Sequence, residues 1–249
     1  MAVTDYRSTS FPRVSALAVC WFFWGALIVA YSAMAFEYFF AMIAGNREWW
    51  NQLQAMLVSE SFSFGTGSVY AEQHEPYYFN RYLLLFHTTT GGVALAIGWT
   101  QFVSSWRKAY PKWHRGIGKL YLASVLLSMT SGLMHLSTVS LRDVYSGAPF
   151  GLGLWGLDLT VIVTALLAFL AVKRRDFAQH QAWMAVNYAL VCATPTLRIA
   201  WVTFGMTTDL TQAQINSGIA TVLLPINLIL AMIWLSSTRM GSARTASVA

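Results

Sequence analysis

Residues 151–172 read GLGLWGLDLTVIVTALLAFLAV, twenty-two residues that carry one charge, Asp158. A helix rises about 1.5 Å per residue, so a run of this length covers the ~30 Å of hydrocarbon in a bilayer. No water reaches that depth to satisfy backbone N–H and C=O groups, so the run must be helical. Five further apolar runs flank it. Three precede it, at 14–43, 82–105 and 116–138, and two follow, at 182–205 and 217–236. The charges fall almost entirely in the gaps. The expected fold is all-α: an integral membrane six-helix bundle, forming one transmembrane domain over residues 1–249.

Composition agrees. The chain is 56% hydrophobic and 10% charged, with a mean hydropathy of +0.50. Soluble domains carry about 25% charged residues. The formal charge of +6 does not point to nucleic acid, because the basic residues cluster at segment ends. The expected partner is the lipid bilayer.

Lys and Arg positions set the expected orientation. Arg7, Arg13, Arg107, Lys108, Lys112, Arg115, Lys119, Lys173, Arg174, Arg175, Arg239 and Arg244 lie on one side of six alternating crossings. Arg47, Arg81 and Arg142 lie on the other. The positive-inside rule then places both termini in the cytoplasm of a multi-pass protein, with a bacterial inner membrane as the expected location. The first run is longer than a signal-peptide core and rich in Trp and Phe, so it is read as a retained helix.

The longest connection is 44–81. Its first half, NREWWNQLQAMLVSE, places Trp49, Trp50, Leu53, Met56 and Leu57 at helical spacing, with Glu48, Asn51 and Gln54 opposite. That pattern predicts an interfacial helix, and it also offers a surface for partner membrane subunits. The second half, with Glu72, His74, Glu75 and the Tyr77-Tyr78-Phe79 cluster, reads as a solvated loop more readily than as a metal site. Cys20 and Cys192 read as small apolar core residues.

The candidate chemistry rests on histidines. At 1.5 Å per residue, His87 and His135 lie near one face of the membrane, and His114 and His180 near the other. Two imidazoles at one depth on different helices can ligate haem iron, and helical bundles build such sites in their cores. His87, His114, His135 and His180 are therefore candidate metal ligands for haem b. The plain alternative is interfacial anchoring, as Trp113-His114-Arg115 would give.

The stretch from Phe86 to Leu136 contains His87, Gly98, Gln101-Phe102, Arg107, and His114-Arg115-Gly116-Ile117-Gly118-Lys119-Leu120-Tyr121. A second block holds Arg175-Asp176, His180, Trp183-Met184 and Arg198. Together these resemble the predicted-membrane-protein family catalogued as domain of unknown function 2306. The resemblance implies a membrane protein without an established activity. More loosely, the stretch is similar to the transmembrane, ascorbate-reducible diheme b-type cytochromes. That likeness implies haem-ligand roles for His87 and His114. There the other two ligands come from flanking helices, whereas here His135 shares a helix with His114.

Two charges stand inside apolar runs, Asp158 and Arg198. A lone charge at that depth is costly, so each is expected to have a partner. Either they pair with each other, or Arg198 binds an anionic group such as a haem propionate or a lipid head. Pro195 should loosen the helix beside it. No nucleotide-binding, metalloprotease or serine-hydrolase motif is present. The expected function is a b-type haem electron-transfer protein, the alternative a non-redox accessory or assembly subunit of a larger membrane complex. A transporter ranks last, because no internal repeat is visible.

Overall fold

A computed structural model describes residues 16–219 except 45 and 142, and beyond them residues 222, 225–229, 231–233 and 236. The described chain is helical throughout its regular structure: α1 (Ala16–Ala44), α2 (Trp49–Leu57), α3 (Glu60–Phe64), α4 (Val69–Phe79), α5 (Arg81–Gly98), α6 (Ser104–Ala109), α7 (Pro111–Ser137), α8 (Ala148–Lys173), α9 (Phe177–Val191), α10 (Ala193–Thr207) and α11 (Gln212–Ile219).

Among the described residues, four helical stretches are long and apolar enough to cross a membrane: Arg81–Phe102, Pro111–Ser137, Ala148–Lys173 and Phe177–Thr207. These four do not confirm the expected count of six. In the first run, α1 is helical over 29 residues, but its described apolar part is the shorter Phe22–Tyr38. The sixth run, 217–236, lies partly outside the described residues.

Local chemistry sets the helix ends. Pro111 opens α7 at a position whose N–H would be unpaired in any case. Asp176 caps α9, its carboxylate accepting from the Gln179 N–H at 3.0 Å. The span 177–207 breaks at Cys192, one turn before Pro195, which has no N–H to give to the preceding turn. The Cys192 carbonyl accepts from the Thr196 N–H at 3.1 Å and from the Thr196 hydroxyl at 2.8 Å.

In the bundle, α5 packs between α1 and α7, and α8 packs against α7 and α9. The core between them holds Ile28, Tyr121, Val125, Val161, Ala165 and Leu190, all nearly inaccessible. The spans define two ends. At the basic end lie α6, the start of α7 and the turn 174–176. At the loop end, three connections close over the bundle around Gly67. The Gly67 carbonyl accepts from Tyr145 Oη at 2.8 Å and from the Ala213 N–H at 3.0 Å, and Gln212 Oε1 accepts from the Val69 N–H at 2.9 Å.

The connection 44–81 is more helical than expected. Its second half forms α4 rather than a solvated loop; the side chains of His74 and Glu75 lie outside those described. In α2 the expected two faces exist. The polar face is the one turned inward: Asn51 and Gln54 are buried, and Trp49, Met56 and Leu57 are exposed. An apolar face turned outward suits a lipid interface.

Candidate functional site

The family-like motif of the second and third spans is first a packing device. A side chain at Gly98 would run into the rings of Tyr188 and Tyr121, the latter 2.7 Å from where its Cβ would stand. Glycine lets α5 pass close to both tyrosines. Gln101 lies 3.3 Å from the Cβ position of Gly118 on α7. The Tyr121 hydroxyl donates to Asn187 Oδ1 at 2.7 Å, and Asn187 Nδ2 donates to the Val161 carbonyl at 2.8 Å and to Thr164 Oγ1 at 2.9 Å. Tyr188 Oη donates to the Leu95 carbonyl at 3.2 Å. Four helices are thereby tied together by polar groups that satisfy one another.

Toward the loop end, His87 enters the bundle from α5. Its Nδ1 lies 2.8 Å from the Ser128 carbonyl oxygen, and Ser128 Oγ donates back to the His87 carbonyl at 2.8 Å. A carbonyl can only accept, so Nδ1 carries the proton and Nε2 keeps its lone pair. Gly132 stands beside it. A Cβ there would come within 2.7 Å of Asp158 Oδ2 and 2.9 Å of His87 Nδ1, so three spans converge on this glycine. His135, one turn further along α7, lies within electrostatic range of His87. Its ring meets Tyr77 edge-on at 5.9 Å, and its Nδ1 is buried without a hydrogen-bond partner.

At the basic end, His180 Nδ1 lies 2.9 Å from the Ala168 carbonyl oxygen, which again leaves Nε2 as the free nitrogen. His114 lies within electrostatic range of His180 and of Arg107. His87 thus lies in electrostatic range of His135, and His114 of His180.

The expected Asp158–Arg198 pair is not formed. The ion pair found among the described residues joins Arg47 and Glu60 at 2.7 Å, outside the spans. Asp158 faces Gly132 and His87 instead. Arg198 lies with its guanidinium carbon 3.9 Å over the Trp201 ring, and the Tyr31 hydroxyl lies in its field. Tyr38, Tyr77 and Tyr145 also lie in its field. Burial pushes the Tyr77 and Tyr145 phenols above their ordinary range, while the Arg198 charge pulls them down. Both stay protonated and remain O–H donors at neutral pH.

Among the described residues, no three His, Cys, Asp or Glu side chains gather as a metal-ion site. A separate open hollow lies between the end of α1 and α2–α3, lined by Glu37, Phe40, Arg47, Met56, Glu60 and Phe64. It contains none of the histidines. Sequence reasoning passed over Asn187, Ser128 and Tyr188. One usable signal was the row Ser124, Ser128, Ser131 on α7, small polar residues at helical spacing that are all buried.

The family of predicted membrane proteins known as DUF2306 matches residues 84–235, which hold all four of these histidines. The chain belongs to this family. No curated protein and no solved structure matches it. DUF2306 membership makes this an integral membrane protein in contact with lipid. It carries no activity, and the looser cytochrome likeness finds no support there, so any functional reading rests on the site itself.

Proposed function

We propose that this protein is a b-type haem electron-transfer protein of the membrane, with His87 and His135 as ligands at the loop end and His114 and His180 at the basic end. The observation that carries this reading is the anchoring of two rings to backbone carbonyls. His87 and His180 each give Nδ1–H to a backbone carbonyl, at 2.8 and 2.9 Å. This is how metal-ligating imidazoles are oriented, with Nε2 presented to the iron. The buried, unpartnered Nδ1 of His135 adds support. A polar atom left so costs about 1–3 kcal/mol, a cost that a ligand reorienting the ring would relieve. The residues therefore fit the group.

Haem bound between such rings supplies one-electron chemistry at a potential set by its ligands and the polarity around it. The chain's own contribution is to hold the rings, keep Nε2 deprotonated and exclude water. His114 and His135 are 21 residues apart on one helix, a rise of about 31 Å, so each pair must act as a separate centre near its own membrane face. With both termini on the cytoplasmic side, as the basic residues suggest, the loop end faces outward.

A second reading, a non-redox accessory or assembly subunit, is favoured by the exposed apolar face of α2. One measurement separates the two. Protein purified from a haem-sufficient host should give a b-type reduced-minus-oxidised spectrum. His87→Ala and His135→Ala should each remove one component, and His114→Ala and His180→Ala the other. Folded protein that stays colourless after haem supplementation overturns the haem reading and leaves the subunit reading.

A further inference from the structure

The hollow between the end of α1 and α2–α3 has a volume of about 870 Å³, within the ~300–1,000 Å³ of sites that take small molecules. Three charged side chains line it: Glu37 of α1, Arg47 of the α1–α2 connection and Glu60 of α3. Each is held in place. Glu37 Oε2 accepts from the Trp49 N–H at 3.0 Å, Arg47 Nη1 donates to Glu60 Oε1 at 2.7 Å, and the Arg47 guanidinium carbon lies 4.0 Å over the Phe64 ring. Among the described residues no donor meets the second oxygen of either glutamate. Two carboxylates against one guanidinium leave the hollow negative. Glu48, just before α2, adds a further carboxylate nearby and holds Asn51 Nδ2 at 2.9 Å. Such a hollow favours a cation that carries N–H donors.

The rest of the wall is apolar, with Phe40, Ala41 and Ala44 from α1 and Met56 from α2. Phe40 and Met56 are exposed, as are Phe22, Phe23, Leu27 and Val29 earlier on α1, so α1 presents an apolar surface to lipid. Glu37 stands one residue before the end of the apolar stretch Phe22–Tyr38, and the side chain of Trp49, its hydrogen-bond partner, is exposed. Charged groups where an apolar stretch ends, with a Trp beside them, stand at the level of lipid head groups.

We propose that this hollow binds a phospholipid with a primary ammonium head group, a phosphatidylethanolamine. Such a lipid carries an ammonium, a phosphate and acyl chains in a row. The ammonium has three N–H donors, enough for the open oxygens of Glu37 and Glu60. Arg47 spends one N–H on Glu60 and keeps others for the phosphate. The acyl chains then run along Phe40 and Met56 into the bilayer. A quaternary ammonium has no N–H to give and is held by aromatic faces; here the Phe64 face is already taken by Arg47. A phosphatidylglycerol head brings no cation to the carboxylates. A free amine would answer the carboxylates and leave the apolar wall uncovered. The hollow contains none of the histidines, so the assignment stands apart from the haem reading.

The test uses the full chain in nanodiscs of phosphatidylcholine, alone or mixed with phosphatidylethanolamine or phosphatidylglycerol, read by melting temperature and by native mass spectrometry of retained lipid. Phosphatidylethanolamine should raise the melting temperature and be retained one-to-one. Glu37→Gln keeps an oxygen for the Trp49 N–H and removes the charge. It should weaken retention about tenfold, the loss of one charge-assisted contact, and remove the shift. Ala44→Trp leaves every charge in place and fills the hollow; it should block retention, and it serves if Glu37→Gln does not fold. Ethanolamine added to phosphatidylcholine discs should leave the melting temperature unchanged. If it reproduces the full shift, the occupant is a soluble amine and the lipid assignment falls. An equal response to phosphatidylglycerol, or retention unaffected by both substitutions, overturns the site altogether.

Discussion

The middle of the bundle and its loop end treat polar groups in opposite ways. In the middle, Tyr121, Asn187 and Thr164 are buried and each meets a partner at 2.7–2.9 Å. At the loop end, His135 has a buried nitrogen without a partner, and Arg198 and Asp158 form no pair and meet unrelated neighbours. The difference teaches how to read polar residues in a membrane protein. A satisfied network is structural, because its interactions close within the chain. Groups left open at a cost are held ready for something the chain does not contain.

If the middle is structural, breaking it should unfold the protein. Asn187→Leu strands the Tyr121 hydroxyl, which is fully buried, and the Thr164 hydroxyl loses the Asn187 donor. Stranding the Tyr121 hydroxyl costs about 1–3 kcal/mol, while the Thr164 hydroxyl still donates to the Thr160 carbonyl. A chemical or thermal melt in detergent should show this as the largest loss of stability predicted here, and adding Tyr121→Phe should recover part of it. No recovery would mean that the network is not closed as described.

Gly98→Ala tests the same region by volume rather than polarity. The added methyl meets two ring edges that are locked by their own hydrogen bonds, so about 1–3 kcal/mol should be lost. A neutral result in the same melt would show that Tyr121 and Tyr188 can retreat.

The loop end should behave differently. If Asp158 and Arg198 serve separate neighbours, Asp158→Ala and Arg198→Ala should be additive within about 0.5 kcal/mol in a double-mutant cycle. Coupling well above that would restore the ion pair and remove the contrast between the two regions.

How much of this was legible in the sequence follows from which signals are local. Hydropathy is summed along the chain, so the four described spans and the reach of their basic flanks could be read directly. Depth is local too, because it counts residues along a helix, and it sorted the histidines into His87 with His135 and His114 with His180. Azimuth is not local. Asp158 and Arg198 lie at similar depths, but which way each points around its helix depends on the neighbours of α8 and α10. The apolar-polar alternation of α2 could be seen, but not that Asn51 and Gln54 would turn inward. Helix α4 was missed because Pro76 and a polar composition read as loop, whereas it is held in place partly from outside by the contact between Val69 and Gln212.

By itself, then, the sequence determined a membrane-spanning helical protein of this family and the levels at which its histidines stand. Backbone hydrogen bonding in hydrocarbon and the 1.5 Å rise of a helix allow nothing else. Only the tertiary structure decided that Asn187 closes a network, that Asp158 faces Gly132 and His87, and that Arg198 stacks on Trp201 instead of pairing with Asp158. Those outcomes depend on the rotation of each helix about its own axis, which is set by packing against every other helix at once.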